Sequence, residues 1–210
     1  MNFKDQLLAL LKEAHKYQYV DISDTQEREK QKKPRWYFTR VQWGLIILSA
    51  LIALLTQGSF DEDFAGYVVS GLSLFAGLFF SFILILLDNF QKIDFEPFKK
   101  ENNARLMPLG VRLKNYYKKA TALSFYIILL SMLCICLLSL SLFDIKIGIT
   151  STFLGDSCMG KNLLWGTSLL AFLYKATTIY FLLDFLWITL YLITSFHDYI
   201  SSEYDKVKLK

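Results

Sequence analysis

Hydrophobic and polar positions follow one rhythm at the start of this chain and another after residue 40. Phe3, Leu7, Leu10, Ala14 and Tyr17 recur at spacings of 4, 3, 4 and 3, with Leu8 and Leu11 widening the stripe. Lys4, Asp5, Lys12, Glu13 and Lys16 take the other faces. This is the seam of an amphipathic helix and predicts one over residues 1–20. The run Asp21-Ile22-Ser23-Asp24 breaks it, and Ser23 with Gln26 or Asp24 with Glu27 is placed to cap a second short helix. That helix, Thr25–Lys33, is charged all round, ends at Pro34 and reads as a solvated spacer.

Beyond the spacer, polar positions vanish for whole stretches. Charge is absent from Val41–Phe60, Phe64–Leu87 and Ala120–Phe143, and only Lys175 and Asp184 interrupt the stretch Asn162–Phe196. Uncharged apolar runs of about 20 residues match the thickness of a bilayer core when coiled as a helix. The pattern predicts spans at about 41–57, 65–87, 120–143 and 164–196. The first is short, roughly 25 Å, and the last would be about 50 Å as one helix; either it is a long helix projecting outward, the favoured reading, or its first dozen residues form a separate outer segment. Within the second span, Gly66 and Ser70, then Ser73, Gly77 and Ser81, follow each other at spacings of four. Small residues so spaced share a helix face and let another backbone come close, so these five are the predicted helix-packing residues. The loop 88–119 restarts at Glu96-Pro97 and is punctuated by Pro108 and Gly110 before the basic run Arg112–Lys119.

The fold class is therefore all-α integral membrane, with a four-helix transmembrane bundle over 40–210 and a cytoplasmic helix and spacer over 1–39. Of the 210 residues, 54% are hydrophobic and 20% charged, against about 25% charged in ordinary soluble domains. That distribution excludes a soluble enzyme, a nucleic-acid-binding domain and a secreted disulfide scaffold. No signal-peptide pattern precedes the first span, so the chain is expected to begin as written. Nine of the 23 basic residues lie in 1–40, eight in 88–119 and three in 197–210. The opposite loops hold only Lys146 and Lys161, and Asp61, Glu62 and Asp63 make the first acidic. Basic loops stay in the cytoplasm, which places both termini and the central loop there. Trp36, Tyr37, Trp43, Tyr116, Tyr117 and Trp165 fall near the expected interfaces. The net charge of +4 is topogenic and faces anionic lipid, with no direct nucleic-acid partner implied.

Asp184 is the residue that asks for an explanation. A carboxylate deep in a span costs a few kcal/mol, so it implies a polar partner, a water-filled path or a neutral protonated state: a pore-lining or proton-sensitive site, or else an interhelical hydrogen bond to a Ser or Thr that fixes packing. Lys175, nine residues earlier, falls on the opposite helix face about 13 Å away and cannot pair with it within one helix. It either pairs across a subunit boundary or snorkels to the outer interface. Cys134 and Cys136 point to different faces and read as small hydrophobes, Cys158 stands alone in the outer loop, and His15 and His197 have no catalytic partner in sequence. No HExxH, GxSxG, Gly-rich phosphate loop or CxxC occurs. The expectation is a non-enzyme without metal or cofactor.

The layout, a cytoplasmic amphipathic N-terminus, four spans, a modest basic central loop and a short tail, resembles the KwaA-like four-span membrane subunits of the Kiwa anti-phage system. The likeness covers the whole chain as topology and size and carries no residue motif. It implies an oligomeric inner-membrane sensor working with a cytosolic partner protein in antiviral defence. Two functions follow. The first is an interaction protein whose stripe Phe3, Leu7, Leu10, Ala14 and Tyr17 docks that partner. The alternative is a pore or ion channel that depolarises the membrane, built around Asp184 with Lys175 as a mate from another subunit. A secondary transporter ranks third, because the spans lack broken helices or an inverted repeat.

Overall fold

A computed structural model of the chain describes residues 2–18, 38–56, 60–96, 107–142 and 158–207. Five helices account for most of them: α1 (Phe3–Tyr17), α2 (Arg40–Leu55), α3 (Glu62–Gln91), α4 (Met107–Leu142) and α5 (Cys158–Val207). Among the described residues every regular element is helical. Three stretches, Glu62–Gln91, Gly110–Leu140 and Leu169–Ser201, are long and apolar enough to cross a membrane. At 16 residues, α2 is apolar but only about 24 Å long.

Local chemistry sets the ends. The first turn of α1 hangs on the carbonyl of Asn2, which accepts from the Asp5 and Gln6 amides at 2.9 and 3.2 Å. Asp5 in its first turn and His15 and Lys16 in its last complement the helix dipole. In α3, Glu62 and Asp63 occupy the first turn and the Asp61 carbonyl accepts from the Ala65 amide at 2.9 Å. The expected loop over 88–119 is taken up from both sides, because α3 continues to Gln91 and α4 starts at Met107. Pro108 begins that helix instead of breaking it. In a first turn the missing N–H has no intrahelical partner to lose. The fourth apolar stretch is one helix of 50 residues, about 75 Å, with no separate outer segment. The short helix expected at 25–33, the Pro97 opening, the interfacial Trp36 and Tyr37, and the side chains of Phe3, Cys158, Lys161 and Trp165 lie outside what is described.

The chain divides into two compact units. One comprises Met1–Thr39, Phe75–Leu129 and Leu186–Lys210; the other comprises Arg40–Leu74 and Leu130–Phe185. In the first, α1 packs with the second part of α3, the first of α4 and the last of α5. Its core holds Ala14, Tyr17, Ile83, Leu86, Leu123, Ile127, Ile188 and Leu192. In the second, α2 joins the remaining parts of α3, α4 and α5 around Ala53, Ala65, Leu72, Leu130, Cys134, Leu138 and Phe185. The α4 positions Leu123, Ile127, Leu130, Cys134 and Leu138 follow 3–4 spacing, so one stripe of the helix faces inward along its length. Only 11% of the apolar window of α3 is buried, against 39% for α4 and α5, so α3 presents most of its surface outward.

Candidate functional site

The unit containing α1 is organised around a buried cation. Lys119 closes the basic run before the apolar part of α4 and is 3% exposed. Its Nζ donates to the Tyr191 hydroxyl at 2.6 Å and lies 4.6 Å from the centre of that ring. The Tyr191 hydroxyl donates in turn to the Tyr17 carbonyl at 3.4 Å, at the last residue of α1. A chain of polar contacts thus runs from α4 through α5 to the C-terminal end of α1, where carbonyls and helix dipole favour a cation. Alongside it, Lys118 pairs with Glu13 at 3.5 Å. Aromatic rings complete the packing: Tyr116 stacks on Tyr199 with centroids 4.0 Å apart and touches Phe196, which meets Phe82 edge-on.

This arrangement changes the reading of the N-terminal stripe. Ala14 and Tyr17, two of its five residues, are buried within their own chain. Leu7 and Leu10 are half-buried, and Leu8 on the flank is exposed. The helix is held by its C-terminal end and more open toward its N-terminal end. Periodicity alone gave α1 a sticky face without saying whose surface would cover it.

In the other unit, Asp184 is 1% exposed. Cys134 of α4 and Tyr180, one turn earlier on α5, lie within electrostatic reach of its carboxylate. Gln42, Ser49, Ser131 and Thr178 are also buried here. The hydroxyls of Ser49 and Thr178 donate back to the Ile46 and Tyr174 carbonyls at 2.8 and 2.9 Å, so their own helices satisfy them. Tyr174 donates to the Leu137 carbonyl, tying α5 to α4. Lys175 donates to the Thr56 carbonyl at 2.7 Å and sits 5.8 Å from the Phe60 ring centre. It therefore serves the C-terminal end of α2, a cation against terminal carbonyls, within its own chain. The structure does not bring Lys175 and Asp184 together.

None of the five small residues of α3 is buried. Ser70, Ser73, Gly77 and Ser81 are exposed, and a Cβ on Gly66 or Gly77 would meet nothing within 4 Å. The serines donate to the Gly66, Val69 and Gly77 carbonyls at 2.9, 2.8 and 3.1 Å. Cys134 is buried and Cys136 exposed, as their two-residue offset requires. His197 lies 3.6 Å from Asp198 on an exposed face. Among the described residues no three His, Cys, Asp or Glu side chains are grouped to hold a metal.

Sequence reasoning passed over Lys119 and Tyr191. The signal was there: Arg112, Tyr116, Lys119 and Leu123 step by 4, 3 and 4, which puts the polar residues on the same stripe as the core positions of α4. Among the described residues the protein is thus all-helical, with three helices long and apolar enough to cross a membrane and an amphipathic helix packed within one of its units. Comparison with known proteins gave no matching family model, no matching curated protein and no matching solved structure.

Proposed function

We propose that this chain is a non-enzymatic, oligomeric inner-membrane protein that anchors and regulates a cytosolic partner. The observation that carries the reading is the half-engaged state of α1. Its C-terminal end is fixed through Tyr17, Ala14 and the Glu13–Lys118 pair, while Leu8 and the half-buried Leu7 and Leu10 remain accessible. A helix so mounted offers an apolar edge at a fixed place beside the membrane, the geometry of a helix that adds to a partner's groove. In this reading α2 is a fourth, short crossing, both termini face the cytoplasm with the basic central loop, and α3 supplies the contact between subunits. The resemblance to KwaA-like subunits supports a sensor role in antiviral defence.

The test uses the full chain in its host membrane with a photo-crosslinking residue in place of Leu8. A single cytosolic protein should be captured, and the charge introduced by Leu8→Glu should abolish its recruitment while leaving membrane insertion and the folded yield unchanged. Recruitment that survives Leu8→Glu and deletion of residues 1–20 removes α1 as the docking element. Reporters fused at residue 1, in 97–106 and at residue 210 should all read cytoplasmic.

A second reading, a pore that depolarises the membrane, draws on the five buried polar residues of the Asp184 unit. It requires unitary currents in planar bilayers that change with Asp184→Asn; a silent membrane with verified insertion leaves the anchoring reading ahead.

A further inference from the structure

The first turns of α4 hold two buried donors that find no partner among the described residues. The Nε of Arg112 and the hydroxyl of Tyr116 are both out of contact with water, and no described residue accepts a hydrogen bond from either. Buried polar groups almost always find partners, and an unused donor carries a desolvation penalty. Two such donors one helical turn apart on the same face, with side chains about 5–6 Å from each other, are not independent accidents. One further turn along the same stripe stands Lys119, itself 3% exposed. Arg112, Tyr116 and Lys119 therefore line one face with two cations and a phenol.

Three carboxylates described in this unit have basic neighbours of their own. Glu13 pairs with Lys118 at 3.5 Å, Asp88 with Lys92 at 2.5 Å, and Asp198 sits beside His197. The Tyr116 ring is fixed from one side by Tyr199, stacked at 4.0 Å, which holds its hydroxyl in place. Donors in excess of acceptors, with fixed positive charge, call for an anion. A guanidinium prefers a planar or tetrahedral oxyanion that its fork can meet with two oxygens, and phosphate is the common partner. The position agrees: these turns precede the apolar run that starts at Ala120, at the level where basic pockets of membrane proteins meet lipid headgroups.

We propose that Arg112 and Tyr116, beside Lys119, form a binding site for a phosphate anion. The anion's oxygens accept from Arg112 Nε–H and the Tyr116 O–H, and Lys119 contributes its charge. An anionic phospholipid headgroup and a soluble phosphate compound share this chemistry. The site holds for an anchor or a pore alike, because it depends on neither α1 docking nor Asp184.

The test takes the full chain in detergent and in vesicles of phosphatidylcholine with or without phosphatidylglycerol. Native mass spectrometry reads retained lipid, and thermal unfolding reads stabilisation by phosphatidylglycerol or by inorganic phosphate. The wild type should retain phosphatidylglycerol in preference to phosphatidylcholine. Arg112→Gln should weaken that retention about tenfold, the scale of one charge-assisted hydrogen bond. Tyr116→Phe keeps the ring stack and removes only the hydroxyl. It should be at least as stable as the wild type without anion and gain less when anion is added. This second variant decides the matter even where Arg112→Gln does not fold. Stabilisation by phosphatidylglycerol alone makes the ligand a lipid; equal stabilisation by inorganic phosphate makes it a soluble phosphate compound. If neither anion stabilises the wild type, or if Tyr116→Phe gains as much as the wild type, the site does not exist.

Discussion

Among the described residues the two units each bury one charged side chain, and they do so by different means. Lys119 has a long stem and ends against a tyrosine that both accepts its hydrogen bond and offers a ring, so its charge is met by named groups at 2.6 and 4.6 Å. Asp184 is short, lies among Phe181, Leu182, Leu183 and Phe185, and is within reach of the weakly polar Cys134 and Tyr180. The difference shows that a buried ion can be either a fastener between elements or a polar point within a packed face. Lys119 links α4, α5 and α1; Asp184 sits where α5 meets α4. The comparison also sets Asp184 apart from Lys175, which its spacing already puts on the opposite helix face and which the fold assigns to the end of α2.

Substitutions at four positions break or sharpen this contrast. Lys119→Ala should have the largest effect, about 3–5 kcal/mol in equilibrium unfolding from detergent, because it removes a buried hydrogen-bonded cation and its packed stem together. Asp184→Ala should follow at about 2–3 kcal/mol, while Asp184→Asn, which keeps shape and hydrogen-bonding capacity, should stay within about 1 kcal/mol. An Asn variant as damaged as the Ala variant would mean that the charge itself matters to the fold. Tyr191→Phe should cost about 1–2 kcal/mol and speed amide exchange over residues 3–17, since the hydroxyl is the link between Lys119 and the Tyr17 carbonyl. Unchanged exchange there would show that α1 is held by apolar packing alone. Glu13→Gln should change stability by no more than about 0.5 kcal/mol, because the Lys118 partner is half exposed and solvent screens the pair.

Much of the helical architecture was written in the hydropathy pattern, since an uncharged run such as Phe64–Leu87 has few stable alternatives to a helix in an apolar medium. The helix over 3–17 was equally legible from five apolar residues in heptad register. What the pattern left open was the identity of the covering surface. Ala14 and Tyr17 belong to the same seam as Leu7 and Leu10, yet only the former are buried, because the α4 and α5 groups that meet them lie more than a hundred residues away in sequence. Pro108 misled for a related reason: its effect depends on whether it falls in a first turn or an interior, and that is decided by where the helix starts. The small residues of α3 from Gly66 to Ser81 share a face by their spacing, but a face open to the surroundings looks the same in sequence as one that packs.

The unbroken length of α5 has a mechanical consequence. Within the unit that holds α1, Tyr191 and Tyr199 are eight residues apart, a little over two turns, so they lie close to one face of this part of the helix. A rod of this kind turns like a screw. A rotation that swings Tyr191 off Lys119, and so loosens the tail of α1, must also slide Tyr199 across the face of Tyr116. A tug on the N-terminal helix and a loosened ring stack are then two readings of one dial.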